Sequence, residues 1–202
     1  MNNSKNPISL YAEATPNPNV MKFTANKILI DESNYEFNNR AEASSFPLVI
    51  ELFGFPFIEK IFISKNFISI TKKINNIEWS DIVLEMREFI RDYLISGKPI
   101  VNDDLKNRNT PKNNVDNNFK NKQLTDIEKK IEELINEYIR PAVEQDGGFI
   151  LLKQFKNGVV TVSLQGACSG CPSSQQTLKL GIEGLLKKMI PGKIKEVVAD
   201  ND

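Results

Sequence analysis

Two blocks of apolar periodicity, separated by a polar stretch with none, organise this 202-residue chain. In the first block Ile8 to Ala12 alternates like a strand, and Val20 to Thr24 does so again after the turn-rich connector Thr15-Pro16-Asn17-Pro18-Asn19. Glu42 to Phe53 has helical spacing and ends near Gly54 and Pro56. Ile58 to Ser64 and Phe67 to Thr71 predict a hairpin about Lys65-Asn66. Trp79 to Ile95 returns to helical spacing, with Ile82, Met86, Phe89 and Tyr93 on one side and Gly97 past its end. The pattern predicts helices packed on an antiparallel sheet over residues 8–100.

The second block has its own order. Thr125 followed by Glu128 predicts a capping box, and Ile127, Ile131, Leu134, Ile135 and Tyr138 make the apolar stripe of the helix it opens, with Pro141 near its end. Gly147-Gly148 breaks the chain before a strand, Phe149 to Phe155, and Asn157-Gly158 is a strong hairpin turn into Val159 to Leu164. A second helix follows Pro172, with Leu178, Ile182, Leu185, Leu186 and Met189 as its stripe. Pro191-Gly192 closes it, and Ile194 to Ala199 adds a last strand. The order α-β-β-α-β fills residues 124–202, so the fold class is α+β with two small domains. Gly181 and Gly184 stand inside the second helix, each at a cost of about 0.8–1 kcal/mol relative to alanine. Close packing is the first reading of that pair, and a contact with another subunit the second.

Residues 101–123 join the blocks. Eight of them are asparagine and eight more are charged, which leaves too little apolar surface to offset the entropy of ordering. As a flexible coil the stretch spans about 25 Å on average, so the first domain can range around the second.

Composition removes several functions. Lysine plus arginine and aspartate plus glutamate number 26 each, so no net charge recruits nucleic acid or an anionic membrane. No run could span a bilayer, and Met1 to Pro7 is polar with no apolar signal core behind it. A cytoplasmic protein is the expectation. There is no histidine, which removes imidazole as metal ligand and as general base.

The chemistry therefore rests on thiols. Gly166-Ala167-Cys168-Ser169-Gly170-Cys171-Pro172 holds the only two cysteines, three positions apart at a strand-to-helix turn. There the unpaired N–H groups and the helix dipole favour thiolate over thiol. A lone Cys-x-x-Cys serves redox sites, half of a zinc site and half of an iron–sulfur site alike. A thiol–disulfide oxidoreductase needs more framework after Cys171 than the chain supplies. Zinc and a four-cysteine iron–sulfur cluster both need two further ligands, which a second copy of the chain would bring across a two-fold axis. Ser169, Ser173 and Ser174 either donate hydrogen bonds to a bound cluster or cap the helix.

Glu144-Gln145-Asp146-Gly147-Gly148 together with Gly166 to Ser174 resembles the C-terminal domain of NifU-like (Nfu) iron–sulfur scaffold and carrier proteins. Thr15 to Phe23, Leu52-Phe53-Gly54-Phe55-Pro56 and Phe67 to Lys72 are similar to the N-terminal domain of a subset of the same family. The resemblance implies a non-enzymatic role. Cys168 and Cys171 of each subunit of a homodimer, joined through the C-terminal domain, would hold a shared 4Fe-4S cluster, and a 2Fe-2S cluster satisfies the same ligand count. Its implied partners are the proteins that load the cluster and the apoproteins that receive it. The Pro-Asn connector at Thr15 to Asn19 is either a rigid turn or a recognition surface for recipients.

Overall fold

The computed structural model describes residues 7–31, 34–73, 77–102, 124–169 and 172–200, with residues 172–174 described in backbone alone. The polar stretch 103–123 thus lies outside the described residues. The chain is α+β and forms two compact units, one around each of two sheets.

In the first unit five antiparallel strands run in the order β1-β2-β5-β4-β3. They are β1 (Leu10–Ala14), β2 (Val20–Ala25), β3 (Tyr35–Phe37), β4 (Ile58–Ser64) and β5 (Phe67–Lys72). The expected hairpin is present, with Ser64 opposite Phe67 across Lys65-Asn66. Alternate residues such as Phe23, Ile61, Ile63, Ile68 and Ile70 form one core with Leu48, Val49 and Leu52 of α1 (Pro47–Leu52) and Met86 and Ile90 of α2 (Trp79–Ser96). α2 is capped at both ends, by the reciprocal Glu78 and Asp81 bonds and by Gly97 at φ 72°. In the β1–β2 connector the Thr15 hydroxyl donates to the Asn17 carbonyl (2.9 Å), and the Asn17 N–H donates to Thr15 Oγ1 (3.2 Å). These bonds make a local turn of it.

Two elements differ from the sequence expectation. The helix expected over Glu42 to Phe53 is a 3-10 turn, Arg40–Ala43, followed by α1. Pro47 sits in the first turn of α1, where its missing N–H costs nothing, whereas a helix running through from Glu42 would bring its ring against a carbonyl. β3 was not expected. Its three residues are too few for a pattern, and it is held by pairing with β4 and by Tyr35 and Phe37 rings 4.6 and 4.8 Å from that of Phe46.

The second unit opens with α3 (Asp126–Leu134), whose capping box forms as expected. Thr125 N–H and hydroxyl both donate to Glu128 Oε2 (2.9 and 2.7 Å), and Glu128 N–H returns to Thr125 Oγ1 (3.4 Å). The helix does not stop at Pro141. A π turn over Ile135–Ile139, in which the Arg140 N–H reaches the Ile135 carbonyl, leads into α4 (Arg140–Gln145). The extra residue in that turn rotates Tyr138 out of the apolar stripe, and its side chain is 49% exposed.

Strands β6 (Gly148–Lys156) and β7 (Val159–Gly166) pair through Asn157 and Gly158, both at positive φ (55° and 88°), as a primed hairpin turn requires. α5 (Pro172–Met189) then crosses over to β8 (Glu196–Ala199), which lies parallel to β7. β8 begins two residues later than the pattern implied, and Ile194 before it is buried. The sheet order β6-β7-β8 puts β7 in the centre. Its Val160, Val162 and Leu164 share a core with Ile131, Leu134 and Ile135 and with Ile182 and Leu186 of α5. Glu183 of α5 accepts the Val197 N–H (3.0 Å) and the Lys187 ammonium (2.6 Å), and these two bonds hold its carboxyl below the usual carboxylate range.

Replacing Thr125 by alanine removes one half of the capping box. Urea unfolding should then show a loss of about 1 kcal/mol, the usual cost of a lost N-cap.

Candidate functional site

The site is built where β7 leaves the sheet. Gly148 at the start of β6 stands opposite Gly166 at the end of β7, and the Ala167 N–H donates to the Gly147 carbonyl (3.1 Å). Gly147 and Gly166 have positive φ (80° and 64°), so at both positions the chain turns in a way that side-chain-bearing residues resist. The turn closes on itself: the Ser169 N–H (3.1 Å) and hydroxyl (2.9 Å) both donate to the Gly166 carbonyl. The Ser169 hydroxyl is thus engaged in shaping the turn. α5 begins at Pro172, as the sequence implied.

Cys168 lies inside this corner. Only 8% of it is exposed, and it packs with the apolar core of the second unit. A recess beside it is lined by Ala142, Val143 and Asp146 from the α4 end and by Thr177 and Leu178 of α5. Cys171 and Gly170, the other half of the motif, lie outside the described residues, and the side chains of Ser173 and Ser174 are outside them as well.

The thiolate expectation is overturned at Cys168. Burial first, and the charge of Asp146 second, push its thiol from 9.0 up to about 12. The magnitudes explain the outcome. A helix N-terminus is worth about 0.3–1 kcal/mol to a nearby anion, less than one pKa unit, whereas full burial can move a group by about 3–5 units. In the metal-free chain Cys168 is therefore a neutral, buried thiol.

Two neighbours of Cys168 were quoted in the motif, Asp146 with no role from the sequence and Gly148 only as a chain break before the strand. Asp146 faces the same recess and raises the cost of a second negative charge there. Gly148 packs directly against the sulfur: a Cβ at that position would stand 2.5 Å from Cys168 Sγ. The signal was present in the run Asp146-Gly147-Gly148, but only the fold puts it beside a cysteine twenty residues on in the chain.

The glycines of α5 also depart from the first reading. A Cβ at Gly181 or at Gly184 would meet nothing within 4 Å. Close packing among the described residues does not account for them. They share an exposed face with Leu180, which is 61% exposed.

The chain is similar in sequence to known proteins over both units. Residues 131–198 match the model of the NifU-like domain, and residues 10–97 match that of the scaffold protein Nfu/NifU N terminal. A human protein named NFU1 iron-sulfur cluster scaffold homolog, mitochondrial, is 32% identical over 182 residues, covering 90% of this chain and 68% of its own length. The protein of the same name from Drosophila persimilis is 33% identical over 205 residues, 98% of this chain and 68% of its own. That from Drosophila sechellia is 36% identical, and the chain spans 62% of its length. Among solved structures, a NifU-like protein from Saccharomyces cerevisiae aligns with a TM-score of 0.42 at 22% identity, covering 50% of this chain and 90% of that one. Among the described residues no helix is long and apolar enough to cross a membrane.

The raised thiol pKa has a sign that can be tested. Between pH 9 and about 12 the folded chain keeps a proton on Cys168 that the unfolded chain has lost. Stability contributed by this group is therefore whole below pH 9 and falls as pH rises through that window. A Cys171→Ser variant should show its thiolate absorbance appearing near pH 12, and Asp146→Asn should move that midpoint down.

Proposed function

Because the chain belongs to the Nfu family of iron–sulfur cluster scaffold proteins, we propose that it carries a 4Fe-4S cluster as cargo between two copies of itself and hands it to recipient apoproteins. The observation that carries this reading is the Cys168 turn at the start of α5, inside the region that matches the NifU-like domain. Cys168 and Cys171 of each subunit supply two thiolates, and a cluster of four-cysteine ligation takes all four. A 2Fe-2S cluster is the smaller cargo with the same ligand count.

The residues suit exchange better than permanent storage. With two thiolates per subunit, the cluster lies at a boundary that two chains must share. The thiolates of a recipient can replace those of the carrier one at a time, and that transfer requires no general acid or base. The protein is thus a carrier and not an enzyme. The neutral state of Cys168 adds one step: loading releases its proton, so the metal must supply the stabilisation that burial withholds.

A second copy needs a surface to meet. Leu180, Gly181 and Gly184 offer one on α5, next to the cysteine turn, with two glycines that nothing in the described chain requires. The N-terminal unit, residues 8–100, is the part that recognises recipients, and residues 124–202 are the cluster-bearing unit. A thiol pair kept for ligation belongs in a reducing compartment, and the cytoplasm is part of this reading. The relatives' own names place those proteins in the mitochondrion.

Anaerobic reconstitution with iron and sulfide tests the proposal. About two iron and two sulfide per chain in a dimer-sized peak are expected for one shared 4Fe-4S cluster, and about one of each for 2Fe-2S. Cys168→Ser should abolish stable cluster binding and leave the fold intact. Sulfide absent from every peak would overturn the reading in favour of the zinc or thiol–disulfide alternatives. Leu180→Glu should shift reconstituted protein toward the monomer, as read by size-resolved light scattering.

A further inference from the structure

The two glycines at the start of β6 do different work. Gly147 has φ 80° and is needed for the turn, whereas Gly148 is not among the residues at positive φ, so its backbone would accept any side chain. What excludes a side chain is space. A Cβ on Gly148 would lie 2.5 Å from Cys168 Sγ, 3.1 Å from Cys168 Cβ and 3.0 Å from the Gln165 carbonyl oxygen. The first of these distances is far inside van der Waals contact, and something would have to move.

The surroundings decide what moves. The Gln165 carbonyl belongs to β7, the central strand of its sheet, with Gln165 paired to Phe149 and Gly166 to Gly148. The turn is tied at Ala167 by its N–H to Gly147 and at Ser169 by its bonds to Gly166. The Cys168 side chain lies between these anchors and turns about a single torsion. It is the softest member of the contact.

We infer that Gly148 is a positioning residue: the hydrogen in place of its side chain makes the seat for the Cys168 sulfur, and so sets where this cluster ligand stands. The inference deepens the scaffold reading and rests on it for the meaning of that position. The seat itself is a property of the metal-free chain. Any side chain at 148 drives the sulfur out of the corner, into the recess lined by Asp146, Thr177 and Leu178. Exposure of the thiol and loss of ligand geometry follow together.

The test compares Gly148→Ala with the same chain keeping Gly148, in the full chain. In a Cys171→Ser background only Cys168 can be alkylated. Gly148→Ala should raise its rate of reaction with iodoacetamide at least tenfold over the same background with Gly148 kept, at one pH and with unchanged far-ultraviolet circular dichroism. With both cysteines present, Gly148→Ala should also shorten the lifetime of a reconstituted cluster against an iron chelator several-fold. Alkylation within twofold of the control would overturn the inference.

Should Gly148→Ala lower stability too far for that comparison, the double change Gly148→Ala/Cys168→Ala separates the causes. If the sulfur is the obstacle, alanine at 168 removes most of the loss in Tm. An equal loss with cysteine or alanine at 168 would place the conflict at the Gln165 carbonyl and overturn the assignment. The alkylation and Tm readings need no cluster. If wild-type chain binds no iron or sulfide, the scaffold reading fails while the seat is judged on its own.

Discussion

A backbone hydrogen bond from the Ala167 N–H to the Gly147 carbonyl closes the two ends of the chain segment that makes the cysteine site. It brings the entry to β6 and the exit from β7 together, glycine opposite glycine. Everything near the sulfur follows from that closure. With Gly147 and Gly166 both turned to positive φ, Cys168 points into the unit and meets the open side of Gly148. Had the strand ends splayed, the same Cys-x-x-Cys run would have been a solvent-exposed loop before a helix.

The burial of Cys168 reverses the ordinary logic of a ligand cysteine. The helix start favours an anion, yet the apolar packing and Asp146 disfavour it more, and the thiol stays neutral. The chain has no histidine to take the proton. Ligand binding and proton release at Cys168 are therefore coupled events in the proposed cycle. A scaffold benefits from such coupling, because a thiol that stays protonated while empty is a weak nucleophile and gives up its proton only when metal binds.

The same physics separates kinds of glycine. Gly97, Gly147 and Gly166 serve the backbone, each at positive φ where a turn or cap requires it. Gly148 serves the space its neighbour fills. Gly181 and Gly184 serve neither among the described residues, where a Cβ on either would meet nothing within 4 Å. Glycine in a helix interior costs stability, and an exposed face that carries two of them beside Leu180 has that cost with no packing return among the described residues.

Much of the architecture was legible in the residues because it is set locally. Thr125 and Glu128 cap α3 by their own side chains, Asn157-Gly158 supplies the torsions of a primed turn, and Gly97 ends α2 by tolerating αL. The alternation of Val160, Val162 and Leu164 named the buried face of β7 for the same reason, since pleat alone sends alternate side chains to one side. The glycine that ends β7 and the proline that opens α5 likewise marked the strand-to-helix turn. What periodicity could not reach was decided by neighbours distant in the chain. β3 exists because β4 and the Phe46 ring hold three residues in place, and Tyr138 faces outward because a π turn ahead of Pro141 shifted the phase. The protonation of Cys168 turned on how deeply the fold buries it, which a dipole argument from sequence could not weigh. The role of Gly148 depended on a sulfur twenty residues away, and only the pairing of β6 with β7 makes them neighbours.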